Sequence, residues 1–256
     1  MSQNPLLSPG SNKPAGAGSA DGGRSVAAGQ GWAWIVGGFE LFKKQPGIWI
    51  ALVVIFFVIL MVLAFLNVIF FLGSIATLLL TPVFAGGLML GCRALQGGGQ
   101  LEIAHLFAGF KAHTANLIVL GALGLAGGII VMLPIILIVG AGAFFGAAQG
   151  DAAGALAIGG SFLIGWLVTM ALSILLYMAF WFAPALVVLR GAAPMAAIKL
   201  SFFACLKNIV PFLIYGIVAL VLGIIAAIPL GLGWLVLGPV VIASIYVAYR
   251  DIFGDA

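Results

Sequence analysis

The chain holds 256 residues, 64% of them hydrophobic and 6% charged, with ten Lys and Arg against six Asp and Glu. Soluble domains carry about 25% charged residues to clothe an apolar core, so this composition excludes a soluble globular protein. A formal net charge of +4 on so apolar a chain suits orientation in a bilayer and argues against a nucleic-acid partner.

Residues 1–30 are rich in Ser, Gly, Pro, Asn and Ala, without an apolar run, and read as a disordered cytoplasmic tail. They contain neither the basic start nor the apolar stretch of about 7–15 residues that a secretory leader needs, so the first span is expected to serve as the insertion signal. A single membrane domain is expected over 31–254. It opens with an amphipathic segment, 32–44, in which Trp32, Val36, Phe39 and Phe42 share one face ahead of Lys43 and Lys44.

Residues 45–92, 112–150, 152–189 and 208–249 contain no Asp, Glu, Lys or Arg. A helix needs roughly 20 apolar residues to cross about 30 Å of hydrocarbon, so these runs supply six spans. The first run divides into 48–66 and 73–92, with Asn67 and Gly73–Ser74 marking the turn. Spans at 117–140 and 160–183 follow, joined by a small-residue stretch holding Asp151. The last run divides at Pro229–Gly231–Gly233 into 210–228 and 233–249. The fold class is therefore all-α, a polytopic bundle of six transmembrane helices.

Two further segments resemble 32–44. Residues 101–111 align Ile103, Leu106, Phe107 and Phe110, with Glu102, His105 and Lys111 off that face. Residues 194–207 begin with Pro194, a natural first helical position, and align Met195, Ile198, Phe202 and Leu206 against Lys199. All three are expected to be interfacial helices, with aromatics and lysines at headgroup level.

On this scheme Lys43, Lys44, Arg93, Lys111, Arg190, Lys199, Lys207 and Arg250 all fall on the side of the N-terminal tail, and the far-side turns carry no Lys or Arg. The positive-inside rule then places both termini in the cytoplasm of a bacterial inner membrane. The same eight residues form the candidate interface for anionic lipid or a protein partner.

A pattern recurs three times: Phe39-Glu-Leu-Phe42-Lys43, Phe107-Ala-Gly-Phe110-Lys111 and Phe203-Ala-Cys-Leu206-Lys207. The second span after each copy carries a proline, Pro82, Pro184 or Pro239, as a candidate kink. An arginine closes each unit, at Arg93, Arg190 and Arg250, with a proline-to-arginine spacing of 11, 6 and 11. The chain thus reads as three units, about 32–95, 100–190 and 194–253. Two spans per unit give every unit the same polarity, as in parallel repeats about an axis along the membrane normal.

Chemistry-bearing constellations are sparse. His105 and His113 lack acidic or Cys partners at ligand spacing, so no metal site is expected. No nucleophile, zinc or phosphate-loop motif occurs, and no intramembrane carboxylate pair is available for acid–base work, so neither catalytic residues nor a cofactor are expected. Absence of intramembrane charge argues against an ion-coupled carrier. Neutral polar side chains inside the spans, among them Thr81, Tyr177 and Tyr246, either satisfy neighbouring helices or line a small cavity near the prolines. Cys92 and Cys205 each neighbour a basic residue and are expected to stay reduced. The Gly-x-x-x-Gly pairs 87/91, 124/128 and 142/146 permit close helix approach within the chain or between two copies.

Gly31-Trp32, Phe39-Glu-Leu-Phe42-Lys-Lys-Gln-Pro46-Gly-Ile-Trp49, Leu80-Thr-Pro82-Val-Phe-Ala-Gly86-Gly, Leu106-Phe-Ala-Gly-Phe110-Lys and Tyr249-Arg-Asp-Ile-Phe253, in that order, resemble a family of uncharacterised six-span inner-membrane proteins of proteobacteria. The resemblance covers about 30–254 and implies a membrane fold without an assigned activity. More loosely, the repeated architecture is similar to the membrane domain attached to some bacterial glycerophosphodiester phosphodiesterases, whose catalytic barrel and metal-binding acids this chain lacks. The expected role is structural or accessory, with the bilayer, a protein partner or a second copy as partners. An uncoupled carrier or lipid-handling protein with a site on the threefold axis is the alternative.

Overall fold

The computed structural model describes residues 23–70, 72–150 and 152–254. Most of the tail, residues 1–22, lies outside them, as does Asp151. Among the described residues every regular element is helical. The order is α1 (Gln30–Lys44), α2 (Pro46–Phe70), α3 (Leu72–Gln96), a 3-10 segment (Ile103–Phe110), α4 (Thr114–Gln149), α5 (Ala152–Phe180), α6 (Ala183–Arg190), α7 (Pro194–Lys207), α8 (Ile209–Ala227) and α9 (Trp234–Phe253). Among the described residues six stretches are long and apolar enough to cross a membrane: Pro46–Leu66, Gly73–Gln96, Thr114–Gln149, Ala152–Arg190, Ile209–Ala227 and Trp234–Phe253.

Several boundaries differ from the sequence expectation, each for a physical reason. The first hairpin does not turn at Asn67; α2 continues to Phe70, because a helix satisfies its own backbone where water is absent. The small-residue stretch 141–159 is almost wholly helical. At about 1.5 Å per residue the 36 residues of α4 extend roughly 54 Å, well beyond the hydrocarbon thickness. Small side chains there pack α4 on α5 rather than form a loop: a Cβ at Gly146 would lie 2.6 Å from the Gly154 carbonyl oxygen. The segment before α4 is a 3-10 helix instead of an α-helix, held at its start by the Glu102 N–H donating to His105 Nδ1 at 3.0 Å.

The three prolines are not equivalent. Pro82 and Pro239 lie inside α3 and α9, whereas Pro184 opens the separate helix α6 after a break at Trp181–Phe182. Proline cannot donate to the preceding turn. At Pro184 the loss is met from α7, where the Ser201 hydroxyl accepts from the Phe182 N–H at 3.0 Å and donates to the Met178 carbonyl at 2.8 Å.

Three contacts give the bundle its frame. Helix α1 packs on α9, the 3-10 segment on α3, and α7 on α5 and α6. Each is close. A Cβ at Gly38 of α1 would lie 2.5 Å from the Val240 carbonyl oxygen, directly after Pro239, and a Cβ at Gly109 would overlap the Val83 carbonyl, directly after Pro82. Around these contacts lies a core of Trp34, Trp49, Leu41, Leu106, Phe182, Leu186, Tyr249 and Ile252. Most of α2, α4, α5 and α8 instead presents bare Leu, Ile, Val and Phe outward, as lipid-facing surface does.

Candidate functional site

Helices α3, α6 and α9 end together, and each carries an arginine in its last turn: Arg93, Arg190 and Arg250. Cations there complement the roughly half negative charge of a helix C-terminus. The ends enclose a cavity of about 300 Å³ lined by Arg93, Gln96, Leu189, Tyr246, Tyr249 and Arg250, with Gly97 at its rim. Tyr246 and Tyr249 enter one turn apart on the buried face of α9, and Tyr249 is only 1% exposed.

Arg190 stands behind that wall. Its guanidinium lies 6.0 Å from the Tyr249 ring and 5.4 Å from the Phe253 ring, and donates to the Phe253 carbonyl. The Tyr249 hydroxyl sits beside it without reaching hydrogen-bond geometry. Arg93 is exposed, and its side chain makes no hydrogen bond or ion pair with another described residue, while its carbonyl accepts from the Gly97 N–H at 3.0 Å. Chemically the basin offers donors, in the form of guanidinium, phenol and carboxamide, with no carboxylate among its described lining residues.

The other predicted interface residues do not join the basin. Lys43 pairs with Glu40 at 2.7 Å and lies over Phe39. Lys44 donates to the Leu95 carbonyl at 3.1 Å, supporting the end of α3. Lys111 and Lys199 are exposed, and Lys207 donates to the Gly23 carbonyl. Thr81, Tyr177 and Tyr246 are not brought together either: Tyr177 is 71% exposed, Thr81 donates to its own helix at Thr77, and only Tyr246 reaches the basin.

Sequence reasoning missed a clamp beside this site. Residues 23–29, which composition assigns to the tail, are held against α9 and the α7–α8 junction. Arg24 pairs with Asp251 at 2.8 Å, and Asp251 also accepts from the Trp34 indole at 3.0 Å. Asn208, fully buried, accepts from the Val26 N–H and donates to the Arg24 and Ala204 carbonyls. The signal was present in Asn208, a polar residue at the head of an apolar run.

A second cavity, about 390 Å³, lies between α8 and α9 and is lined by Trp181, Phe212, Tyr215, Gly216, Ala219, Trp234, Leu237 and Val241. The Trp181 indole N–H has no partner, while the nearby Tyr215 hydroxyl pairs with Ser244 at 2.8 Å. Both cysteines are free and buried, and burial pushes the Cys205 thiol up to about 12. Among the described residues no three His, Cys, Asp or Glu side chains gather as a metal site would require.

No protein-family model matches the chain, and no solved structure matches it. A protein of Burkholderia thailandensis named "Probable inner membrane protein" is 30% identical over 265 residues, spanning 90% of this chain and 93% of that protein. The looser likeness to the phosphodiesterase membrane domain finds no support in these comparisons. Six apolar helices and a relative matched along nearly its whole length lead to one conclusion: the chain belongs to the family of that inner-membrane protein and is itself a multi-pass protein of the inner membrane.

Proposed function

We propose that the chain is a structural or accessory protein of the inner membrane, with both termini cytoplasmic and a basic, aromatic-rimmed cytoplasmic face that contacts anionic lipid or a protein partner. The observation that carries this reading is the gathering of Arg93, Arg190 and Arg250 at and beside one basin. Each basic residue at such an interface contributes about 1 kcal/mol toward anionic lipid. The turn residues 229–233, at the opposite end of α8 and α9, hold neither Lys nor Arg.

Three parallel units, 32–95, 100–190 and 194–253, account for the packing. Each pre-span segment (α1, the 3-10 segment, α7) lies against the second span of the preceding unit (α9, α3, α5–α6), so the units close on themselves. Gly38, Gly109 and Ser201 occupy those contacts next to the three prolines. Exposed Trp32, Phe39, Phe107, Phe110 and Phe203 on these segments suit a headgroup-level position.

Reporter fusions at residues 70, 150 and 231 are expected to read periplasmic, and those at 98 and 192 cytoplasmic; a cytoplasmic signal at 150 overturns the topology. Crosslinking and co-purification from native membrane test the role: a stoichiometric protein partner or enriched anionic lipid supports it, and recovery with neither overturns it. We assign no catalysis to this chain alone. Turnover of a phospholipid or soluble ester by the purified protein, abolished by one side-chain change, would contradict that.

The apolar cavity beside Trp181 favours a second reading, a lipid-handling protein or uncoupled carrier. A lipid retained there and lost in Trp181→Ala would select it.

A further inference from the structure

We propose that the basin formed by Arg93, Gln96, Tyr249 and Arg250 is a discrete site for a single phosphate group, either a lipid headgroup phosphate or a soluble phosphate. The inference rests on the basic-face reading above and sharpens it. A diffuse basic rim binds any anionic surface in proportion to its charge. A walled basin with fixed donors binds one group at one place.

Charge is the first argument. Arg93 sits in the last turn of α3, whose C-terminus is worth about half a negative charge, so roughly half a positive charge remains at the basin from Arg93 alone. Helix-end compensation alone therefore does not consume Arg93. Arg190 already serves that purpose through the Phe253 carbonyl, whereas the Arg93 residue is exposed and its side chain makes no ion pair or hydrogen bond with a described residue.

Donor geometry is the second. Arg93 and Gln96 come from α3, and Tyr249 and Arg250 from α9, so the donors converge from two helices on a cavity of about 300 Å³. That is the small end of ligand pockets. An arginine fork matches two oxygens of a carboxylate or phosphate. The Arg93 fork with phenol and carboxamide donors beside it calls for more acceptor oxygens than a carboxylate has, and phosphate supplies them. The Tyr249 hydroxyl is buried without a hydrogen-bond partner, and buried polar groups are ordinarily satisfied. A phosphate oxygen would satisfy it.

The full-length protein in a neutral detergent is titrated separately with inorganic phosphate and with short-chain phosphatidic acid and phosphatidylglycerol, read by calorimetry and native mass spectrometry. One saturable adduct per chain is expected, weakened at least tenfold in Arg93→Gln and severalfold in Tyr249→Phe. Lys199→Gln, whose side chain does not line the basin, measures the diffuse effect and is expected to change the adduct less than twofold. Arg93 is exposed, so its replacement leaves the fold intact, which an unchanged gel-filtration profile checks. Binding of inorganic phosphate that competes with the lipids identifies a soluble-anion site, and binding of the lipids alone identifies a headgroup site; both support the proposal. Equal weakening by Arg93→Gln and Lys199→Gln, or unsaturable binding, overturns the discrete site and leaves the basic-face reading standing. Indifference of the protein to anionic over zwitterionic lipid overturns both.

Discussion

The Ser201 hydroxyl on α7 accepts a hydrogen bond from the Phe182 N–H at 3.0 Å, and so one helix repairs the break that Pro184 makes in another. Because Ser201 also donates to the Met178 carbonyl, its removal strands the buried Phe182 N–H and a part-buried carbonyl. An unmade buried hydrogen bond costs about 1–3 kcal/mol. Ser201→Ala is therefore expected to lower the thermal midpoint in detergent clearly. A midpoint equal to that of the unaltered protein would show that the break holds without α7.

Gly38 sets the distance between α1 and α9. A side chain there meets the Val240 carbonyl oxygen and the Ser244 N–H, both main-chain groups that cannot swing aside. Gly38→Val is expected to cost at least the roughly 1–3 kcal/mol of an overpacked core, seen as early unfolding or loss of the monodisperse peak. Gly29→Ala, with open space around it, is the companion that should behave like the unaltered chain.

Asn208 ties residues 23–29 to the bundle through two hydrogen bonds, to the Val26 N–H and the Arg24 carbonyl. In Asn208→Ala the Val26 N–H and Arg24 carbonyl lose their partners, and the segment should detach. Limited trypsin digestion followed by mass spectrometry is expected to cut after Arg24 at least several times faster in the variant. Equal rates would mean that the Arg24–Asp251 pair, which is largely solvent-exposed on the arginine side, suffices alone.

Cys205 should resist water-soluble maleimide while the protein is folded. The thiolate is the nucleophile, and burial raises the thiol from 9.0 to about 12, so at pH 8 roughly one thiol in ten thousand is ionised. The folded value lies above the ordinary one. Its stabilising effect is thus complete below about pH 9 and lost only as pH rises from there toward 12, leaving no slope from this group between pH 6 and 8. Rapid labelling of Cys205 at pH 8 without denaturant would contradict its burial.

The sequence made the six apolar helices legible because charge-free runs of this length have one physical interpretation. It also located α1 and α7 closely, since Lys44 and Lys207 end them where the aromatic faces stop. The far-side ends of α4 and α5 were not legible. A run of Ala and Gly is as good a loop as a helix zipper until the facing helix is known, and Gly146 against Gly154 is settled only by the partner. At Pro184 the spacing to Arg190 was visibly short, but whether a proline is absorbed in a helix or ends it depends on what stands opposite. In the candidate site the arginines were readable as helix-closing residues. Their convergence with Tyr246 and Tyr249 was not, because it depends on three chain-distant helix ends meeting.

The seat of α1 on α9 has a consequence for how the protein is made. Helix α1 leaves the ribosome well before α9 and has to wait for it before its buried face finds cover, with about 190 residues of chain made in between. That closure is among the most sequence-distant contacts in the molecule, and such contacts form late and slowly. Until then Trp34 and Gly38 lie uncovered, a waiting state open to quality-control proteases.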